Sequence, residues 1–340
     1  MIIQSEKFIV KPLLSVIICT YNQENTISQT IESVLSQLCD FSYEIIIGED
    51  CGNDETRSIC INYQQKYPDF IKLILHDKNK GLLNNYLDCL KTCQGDYIAQ
   101  CAGDDYWIDT LKLQKQIDFL NNNEEYGLVH TSYKILSEST NSFLVNDTIE
   151  NENDTTFDRL IEVNRIAALT CCFRKSVFEI YLQEINPLEK GWLMEDYPFW
   201  LWMSNRFKIK FIPDKTAVYR MLNNSASNSK DPIKNYLFEM SVNEIREFFA
   251  IKSNKLDLIR ESLREFYFDT FQYFYEHSYL GDKAKILKIK LNLYTKLSYL
   301  DKIRLWGLNN KYTYFCSKKY IDFHKKLRKM LRPILNLKMK

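Results

Sequence analysis

Between residues 13 and 107, short apolar runs alternate with polar loops and helix-spaced stripes, and few architectures accept that alternation. The first run, LLSVIIC at 13–19, is rich in β-branched residues and short, which predicts a strand covered on both faces. It ends at Thr20-Tyr21-Asn22, after which Ile27, Ile31, Val34, Leu35 and Leu38 recur at the spacing of one helical face. A second strand at 43–48 leads into the polar loop 49–53 and a helix at 54–67 with Asp54 as its cap. A third strand at 70–75 is followed by a glycine-bearing loop at 77–81 and a helix at 83–93. Such alternation predicts an α/β fold, a mainly parallel, Rossmann-like sheet covered by helices. Loops at Thr20, Asp50 and Asp104 would all lie at carboxyl ends of strands and converge on one crevice.

The stretch GDYIAQCAGDDYW at 95–107 carries the chemistry most openly. An apolar strand runs through Gly103 into two adjacent carboxylates, Asp104 and Asp105. Hard oxygen ligands in that position suit Mg²⁺ or Mn²⁺, and those cations suit a diphosphate. The same residues also suit a surface turn in which the aspartates cap the next helix.

Further on, the sequence predicts a helix through Leu113, Ile117 and Leu120, a strand at 127–135 and a long polar loop at 137–156. A strand at 167–173, a short helix at 175–182 and two short strands at 207–212 and 216–221 surround GWLMEDYPFWLW at 191–202. Near residue 230 the texture changes to long helical periodicity, which divides the chain into an α/β domain at 1–230 and a helical region at 231–340. The formal charge of +1 excludes a whole-protein nucleic-acid binder but hides an asymmetry: from residue 281 onward there are seventeen Lys and Arg against three Asp. Basic residues there interleave with Ile286, Leu287, Ile289, Leu291 and Leu293 and later with Phe323, Leu327, Met330, Leu331, Ile334 and Leu335, a pattern that suits either peripheral contact with a membrane or packing with solvated lysines. No apolar stretch reaches the ~18 to 20 residues of a spanning helix. The N-terminus lacks a signal pattern, and the ten cysteines have no zinc-site spacing and sit in apolar runs, as Cys19 and Cys101 do. The expectation is a reduced, cytoplasmic protein.

Four motifs in order, SVIICTYNQENTI, EIIIGEDCGNDET, GDYIAQCAGDDYW and MEDYPFW, resemble those of the family 2 glycosyltransferases of the GT-A fold over roughly residues 12–225. The resemblance implies an inverting enzyme of the hexosyltransferase type. It would move a sugar from a nucleotide diphosphate donor, UDP-linked by preference, to the hydroxyl of a saccharide or lipid-linked acceptor in cell-surface polysaccharide synthesis. It implies Asp104 as the metal ligand for Mn²⁺ or Mg²⁺ and Thr20, Tyr21, Asn22, Asp50 and Asp105 around the nucleotide. Asp196 falls where the family carries its general base, beside Glu195 on the acceptor side. Trp107 and Trp192 are expected to reach the substrate, although tryptophan is more often core than a sugar platform. One departure stands out: Ala102 occupies the place of the first acid of the family's metal motif. That loss keeps open the alternative of a non-catalytic nucleotide-sugar-binding homologue in a synthesis complex.

Overall fold

The computed structural model describes residues 1–4, 11–144, 152–223, 229, 231–278 and 280–337. Its strands are β1 (Ile2–Ile3), β2 (Leu14–Thr20), β3 (Tyr43–Glu49), β4 (Ile71–Leu75), β5 (Tyr97–Gln100), β6 (Tyr106–Trp107), β7 (Tyr126–Ser137), β8 (Ser142–Leu144), β9 (Cys172–Arg174) and β10 (Lys208–Met221). The helices are α1 (Ile27–Leu35), α2 (Thr56–Lys66), α3 (Leu82–Thr92), α4 (Lys112–Asn122), α5 (Phe157–Leu160), α6 (Lys175–Ile185), α7 (Pro187–Lys190) and α8 (Tyr197–Ser204). Five more follow: α9 (Pro232–Lys252), α10 (Arg260–Glu276), α11 (Asp282–Tyr294), α12 (Tyr299–Gly307) and α13 (Lys311–Leu337).

One mixed sheet runs β1-β4-β3-β2-β5-β9-β7-β10-β6, with β8 paired to β7. Its first half, β4-β3-β2-β5, is parallel, as buried β-branched strands joined by helices demand. Strand order reverses at β2, whose neighbours are β3 on one side and β5 on the other. Ligands of open α/β sheets bind outside the carboxyl ends of strands at such a reversal, which here means the loops after Thr20, Glu49 and Gln100.

Both faces of this half are covered. Val16, Ile18, Ile45, Ile47 and Leu73 are fully buried against Ile27, Ile31 and Leu113. Across the sheet lies a charged pair, Lys72 Nζ to Glu44 Oε2 at 2.7 Å, with both side chains almost wholly buried. Glu44 Oε1 also accepts the Ser15 hydroxyl and the Gln94 N–H, each at 2.6 Å, so the carboxylate is held in place of its lost hydration.

Three local expectations are revised. The runs 207–212 and 216–221 form the single strand β10, bent by register shifts around Pro213-Asp214 rather than broken there. Residues 168–170 form a 3₁₀ turn and only 172–174 a strand, because the Thr170 hydroxyl and N–H both bond Ala167 O and draw the backbone from the ladder. Within the expected loop 137–156, β8 pairs antiparallel with β7, and residues 145–151 lie outside the described ones.

The chain divides into two compact units, 1–254 and 255–340. Helix α9 belongs to the first: Arg246 Nε donates to Ile161 O at 2.7 Å, and Ser241 Oγ accepts the Leu193 N–H at 2.8 Å. The second unit is helical, α10 to α13, and the side chains of Leu327, Met330, Leu331, Ile334 and Leu335 lie outside the described residues. All ten cysteines are free thiols. Among the described residues no helix is long and apolar enough to cross a membrane.

Candidate active site

A cavity of about 440 Å³ opens beside the carboxyl end of β5, and four carboxylates line it: Asp104, Asp105, Glu195 and Asp196. The two pairs, ninety positions apart in sequence, are brought together by different devices. Asp104 and Asp105 sit in a turn tied down from three sides. Gly103 lies so close to Thr20 that a Cβ there would stand 2.7 Å from its hydroxyl oxygen, so only glycine lets the turn seat on β2. The Thr30 hydroxyl donates to the carbonyls of Gly103 and Asp105 at 3.0 and 2.6 Å. From the far side, the Arg220 N–H donates to Asp105 Oδ1 at 2.8 Å. The Arg220 guanidinium bonds Asp104 O and Gln29 Oε1 and lies 4.5 Å from the centre of the Tyr106 ring.

Asp196 is placed by a buried helix. Residues 197–203 of α8 are all buried, the mark of a helix apolar all round its circumference. Its Phe199 packs against Phe178 at 4.7 Å and Phe173 at 5.1 Å between ring centres. Asp196 caps this anchored helix, its Oδ1 accepting the Tyr197 N–H at 2.6 Å. Asp196 thus both starts an anchored helix and lines the cavity.

Burial of these neighbouring acids raises their affinity for protons. Burial pushes Asp196 up to about 6, against stabilising bonds from the Tyr197 N–H and the Asn164 side chain. Burial, and then the neighbouring Asp196 charge, push Glu195 up to about 8. Asp104 and Asp105 are raised as well, Asp105 the more, chiefly by burial. Two neighbouring carboxyls raised in this way compete for a proton, and of the two Glu195 is raised the further.

For a divalent cation the donors fit in kind. Among the described residues no three His, Cys, Asp or Glu side chains converge as a complete protein-built site. Mg²⁺ and Mn²⁺ are held elsewhere by one or two carboxylates with phosphate oxygens and water supplying the rest. Asp104 and Asp105 both line the cavity, and Asp105 is 3 % exposed with its Oδ1 accepting the Arg220 N–H.

The remaining site expectations separate into two groups. Thr20, Tyr21, Asn22 and Asp50 do not line the cavity but build the loops beside it. Thr20 Oγ1 donates to Gln23 Oε1 at 2.7 Å, and Asn22 Oδ1 accepts the Asn53 N–H at 2.8 Å. Both oxygens of Asp50 accept backbone N–H groups, from Lys80 at 2.8 Å and Gly81 at 2.9 Å, and so fix the start of α3, whose Leu82 does line the cavity. Tyr21 is 46 % exposed. Trp107 and Trp192, by contrast, belong to the core. Trp107 donates its indole N–H to Leu169 O at 2.9 Å with Lys112 Nζ 4.3 Å above the ring, and Trp192 packs on Phe248 at 5.4 Å. Neither reaches the cavity; the aromatic rings there are Tyr133, Tyr219 and Phe238. Tyr219 and Arg220 stand in the expected strand 216–221, in the run Tyr219–Asn223 where the resemblance places a His after the Arg, whereas no motif marks Tyr133 or Phe238.

The profile of the family described as glycosyl transferase family 2 matches residues 15–184. An uncharacterized protein of Mycobacterium tuberculosis is 30 % identical over 162 residues, covering 48 % of this chain and 47 % of that one, so the chain spans about half the length of such relatives. The Escherichia coli protein WfgD, a UDP-Glc:α-D-GlcNAc-diphosphoundecaprenol β-1,3-glucosyltransferase, is 28 % identical over 64 % of this chain and 81 % of its own. Among solved structures, residues 1–349 of Staphylococcus aureus TarS in complex with UDP-GlcNAc superpose with a TM-score of 0.54 at 19 % identity, covering 86 % of this chain and 79 % of that one. The likeness to TarS is one of fold: an α/β sheet of the GT-A kind followed by helices.

Proposed function

The chain belongs to glycosyl transferase family 2, and from that premise we propose that it is an inverting glycosyltransferase of cell-surface polysaccharide or glycolipid synthesis. Its donor is a UDP-sugar and its acceptor a saccharide or lipid-linked hydroxyl. The observation that carries the reading is that Asp104 and Asp196 line the same cavity. A sugar transfer needs both a place for the leaving diphosphate and a base for the incoming hydroxyl. The relatives support the substrate classes, since WfgD is named for UDP-glucose and a diphosphoundecaprenol-linked acceptor and TarS binds UDP-GlcNAc.

In this mechanism the nucleotide lies over the loops of Thr20, Tyr21, Asn22 and Asp50, with Asp50 holding the loop before α3 in place. Asp104 would hold Mn²⁺ or Mg²⁺, which would supply positive charge to the leaving diphosphate. Asp196 accepts the proton of the acceptor hydroxyl as that oxygen attacks the anomeric carbon on the face opposite the leaving group, so the configuration inverts. The protonated Glu195 donates a hydrogen bond to a substrate oxygen and orients the acceptor. The basic helices of the second unit hold the enzyme at the cytoplasmic face of an anionic membrane, where a lipid-linked acceptor is found.

The test is a panel of nucleotide sugars examined for Mn²⁺-dependent turnover and for thermal stabilisation, which grows with the logarithm of ligand concentration over its dissociation constant. One UDP-sugar should stand out in both. Stabilisation without turnover for every donor and acceptor tried would favour the non-catalytic homologue that Ala102 suggests.

A further inference from the structure

Helix α11 is apolar on two opposite sides, and only one of them is used inside the second unit. Ala284, Leu287 and Leu291 are buried, whereas Ile286, Ile289 and Leu293 are exposed by 46, 62 and 64 %. At about 100° of rotation per residue the exposed three form a single stripe nearly opposite the buried three. Lys283 and Lys290 fall on one flank of that stripe and Lys285 on the other. Helix α13 repeats the arrangement: Tyr312, Phe315 and Phe323, exposed by 76, 57 and 64 %, lie away from the buried Ser317 and Ile321, with Lys319 and Lys326 among them. Single exposed apolar residues are ordinary on any protein, but an ordered aliphatic stripe is not.

We infer that the exposed stripes of α11 and α13 insert into the interface of a bilayer rich in anionic lipid, so that membrane attachment is apolar as well as electrostatic. This rests on the peripheral-membrane reading above and specifies the residues that make the contact. Charge complementarity selects the occupant: residues 281–326 hold twelve Lys and Arg against three Asp, and anionic headgroups supply the matching charge over an apolar layer. Lysine stems are long enough to leave the apolar stripe and place their ammonium groups among the headgroups. A soluble acidic partner would answer the charge but not the aliphatic stripe, and a second copy of the chain would bring like charge against like.

The test uses the full chain and two vesicle compositions, pure phosphatidylcholine and roughly three parts phosphatidylcholine to one of phosphatidylglycerol, in sedimentation at low and high salt. The double variant Ile289→Ser with Leu293→Ser should bind the anionic vesicles roughly tenfold more weakly than the wild type, with the residual binding lost at high salt. Its thermal midpoint should stay close to wild type, because both side chains are already in water. For depth, Ile289→Trp in a Trp306→Phe background should be quenched by brominated lipid, since the four other tryptophans are at most 5 % exposed. If the wild type ignores anionic vesicles even at low salt, the membrane reading itself is wrong. If it binds but the Ser variant binds equally well and the introduced tryptophan is not quenched, attachment is electrostatic only and the insertion is overturned. Loss of a concentration-dependent dimer in the Ser variant, with no vesicle binding by the wild type, would make the stripe a self-interface and overturn it too.

Discussion

Asp105 accepts the backbone N–H of Arg220 at 2.8 Å, closing a contact across 115 positions of sequence and fastening the acidic turn to β10. Asp104, the next residue back, keeps its carboxylate for the cavity. If these adjacent acids divide the work, metal for Asp104 and structure for Asp105, the difference is measurable. Asp104→Ala should abolish stimulation by Mn²⁺ and weaken UDP binding by calorimetry while leaving the thermal midpoint near wild type. Asp105→Ala should instead destabilise the fold by ~1–3 kcal/mol, the cost of an unsatisfied buried donor, with Asp105→Asn recovering most of it. The reverse pattern would exchange the two roles.

If Asp196 takes the acceptor proton, Asp196→Asn preserves the helix cap and removes the basicity. Turnover should fall by ~10² or more with donor affinity nearly unchanged. In the wild type, kcat/KM should rise with pH through about 6, as Asp196 loses its proton. A flat profile across that range, or an active Asn variant, would remove Asp196 from the chemistry.

Stability should run against activity at the same pair. Glu195 and Asp196 both bind protons more tightly folded than unfolded, where such groups titrate near ~4. Between that value and about 6 for Asp196 or about 8 for Glu195, the native state holds the extra proton, so the stability these groups contribute at low pH is lost as pH rises. Glu195→Gln removes the larger part of that loss. Its melting temperature should exceed wild type by a few degrees at pH 8, roughly 2–4 °C per kcal/mol, and the gap should close near pH 4. An equal gap at both pH values would mean that charge burial is not the cause.

The parallel half of the sheet could be read from the chain because each strand there is a short apolar run followed by a loop and a striped helix, and nothing competes with that pattern. The positions of Asp104 and Asp196 could be read because each follows directly on an element that points it: a strand end and a helix start. Trp107 and Trp192 misled because a tryptophan beside a motif looks the same whether its indole N–H faces a ligand or, as here for Trp107, the Leu169 carbonyl. The Tyr133 and Tyr219 rings, 6.3 Å apart at the cavity wall, come from β7 and β10, and their meeting depends on a pairing register set by the bulge at Pro213-Asp214. Register of that kind is tertiary, and no local spacing announces it.

The buried pair behind the sheet gives a prediction independent of function. Lys72→Ala would leave Glu44 charged and unmatched between β2 and β4, an error that typically costs ~3–5 kcal/mol. Lys72→Met with Glu44→Gln should recover much of it, since the Gln oxygen can still accept from Ser15 and Gln94. Urea denaturation of the two variants measures the difference, and equal losses would show that the charge is not what matters.

Ala102 stands where the resemblance places the first acid of the metal motif, and the surrounding atoms say what introducing an acid there should do. Its carbonyl accepts the Asp105 N–H at 3.0 Å, so the backbone of the turn does not depend on the side chain. Its side chain lines the same cavity as Asp104. Ala102→Asp would add a fifth carboxylate to a site where four already hold protons too tightly, and without a cation the added repulsion should lower the melting temperature. With Mn²⁺ the sign reverses, because a cation relieves the repulsion and gains a ligand. The variant should therefore gain more thermal stability from Mn²⁺ and UDP together than the wild type does, and reach half-maximal turnover at a lower Mn²⁺ concentration. A variant destabilised equally with and without Mn²⁺ would mean that position 102 faces no metal, and that Asp104 works without a neighbour there.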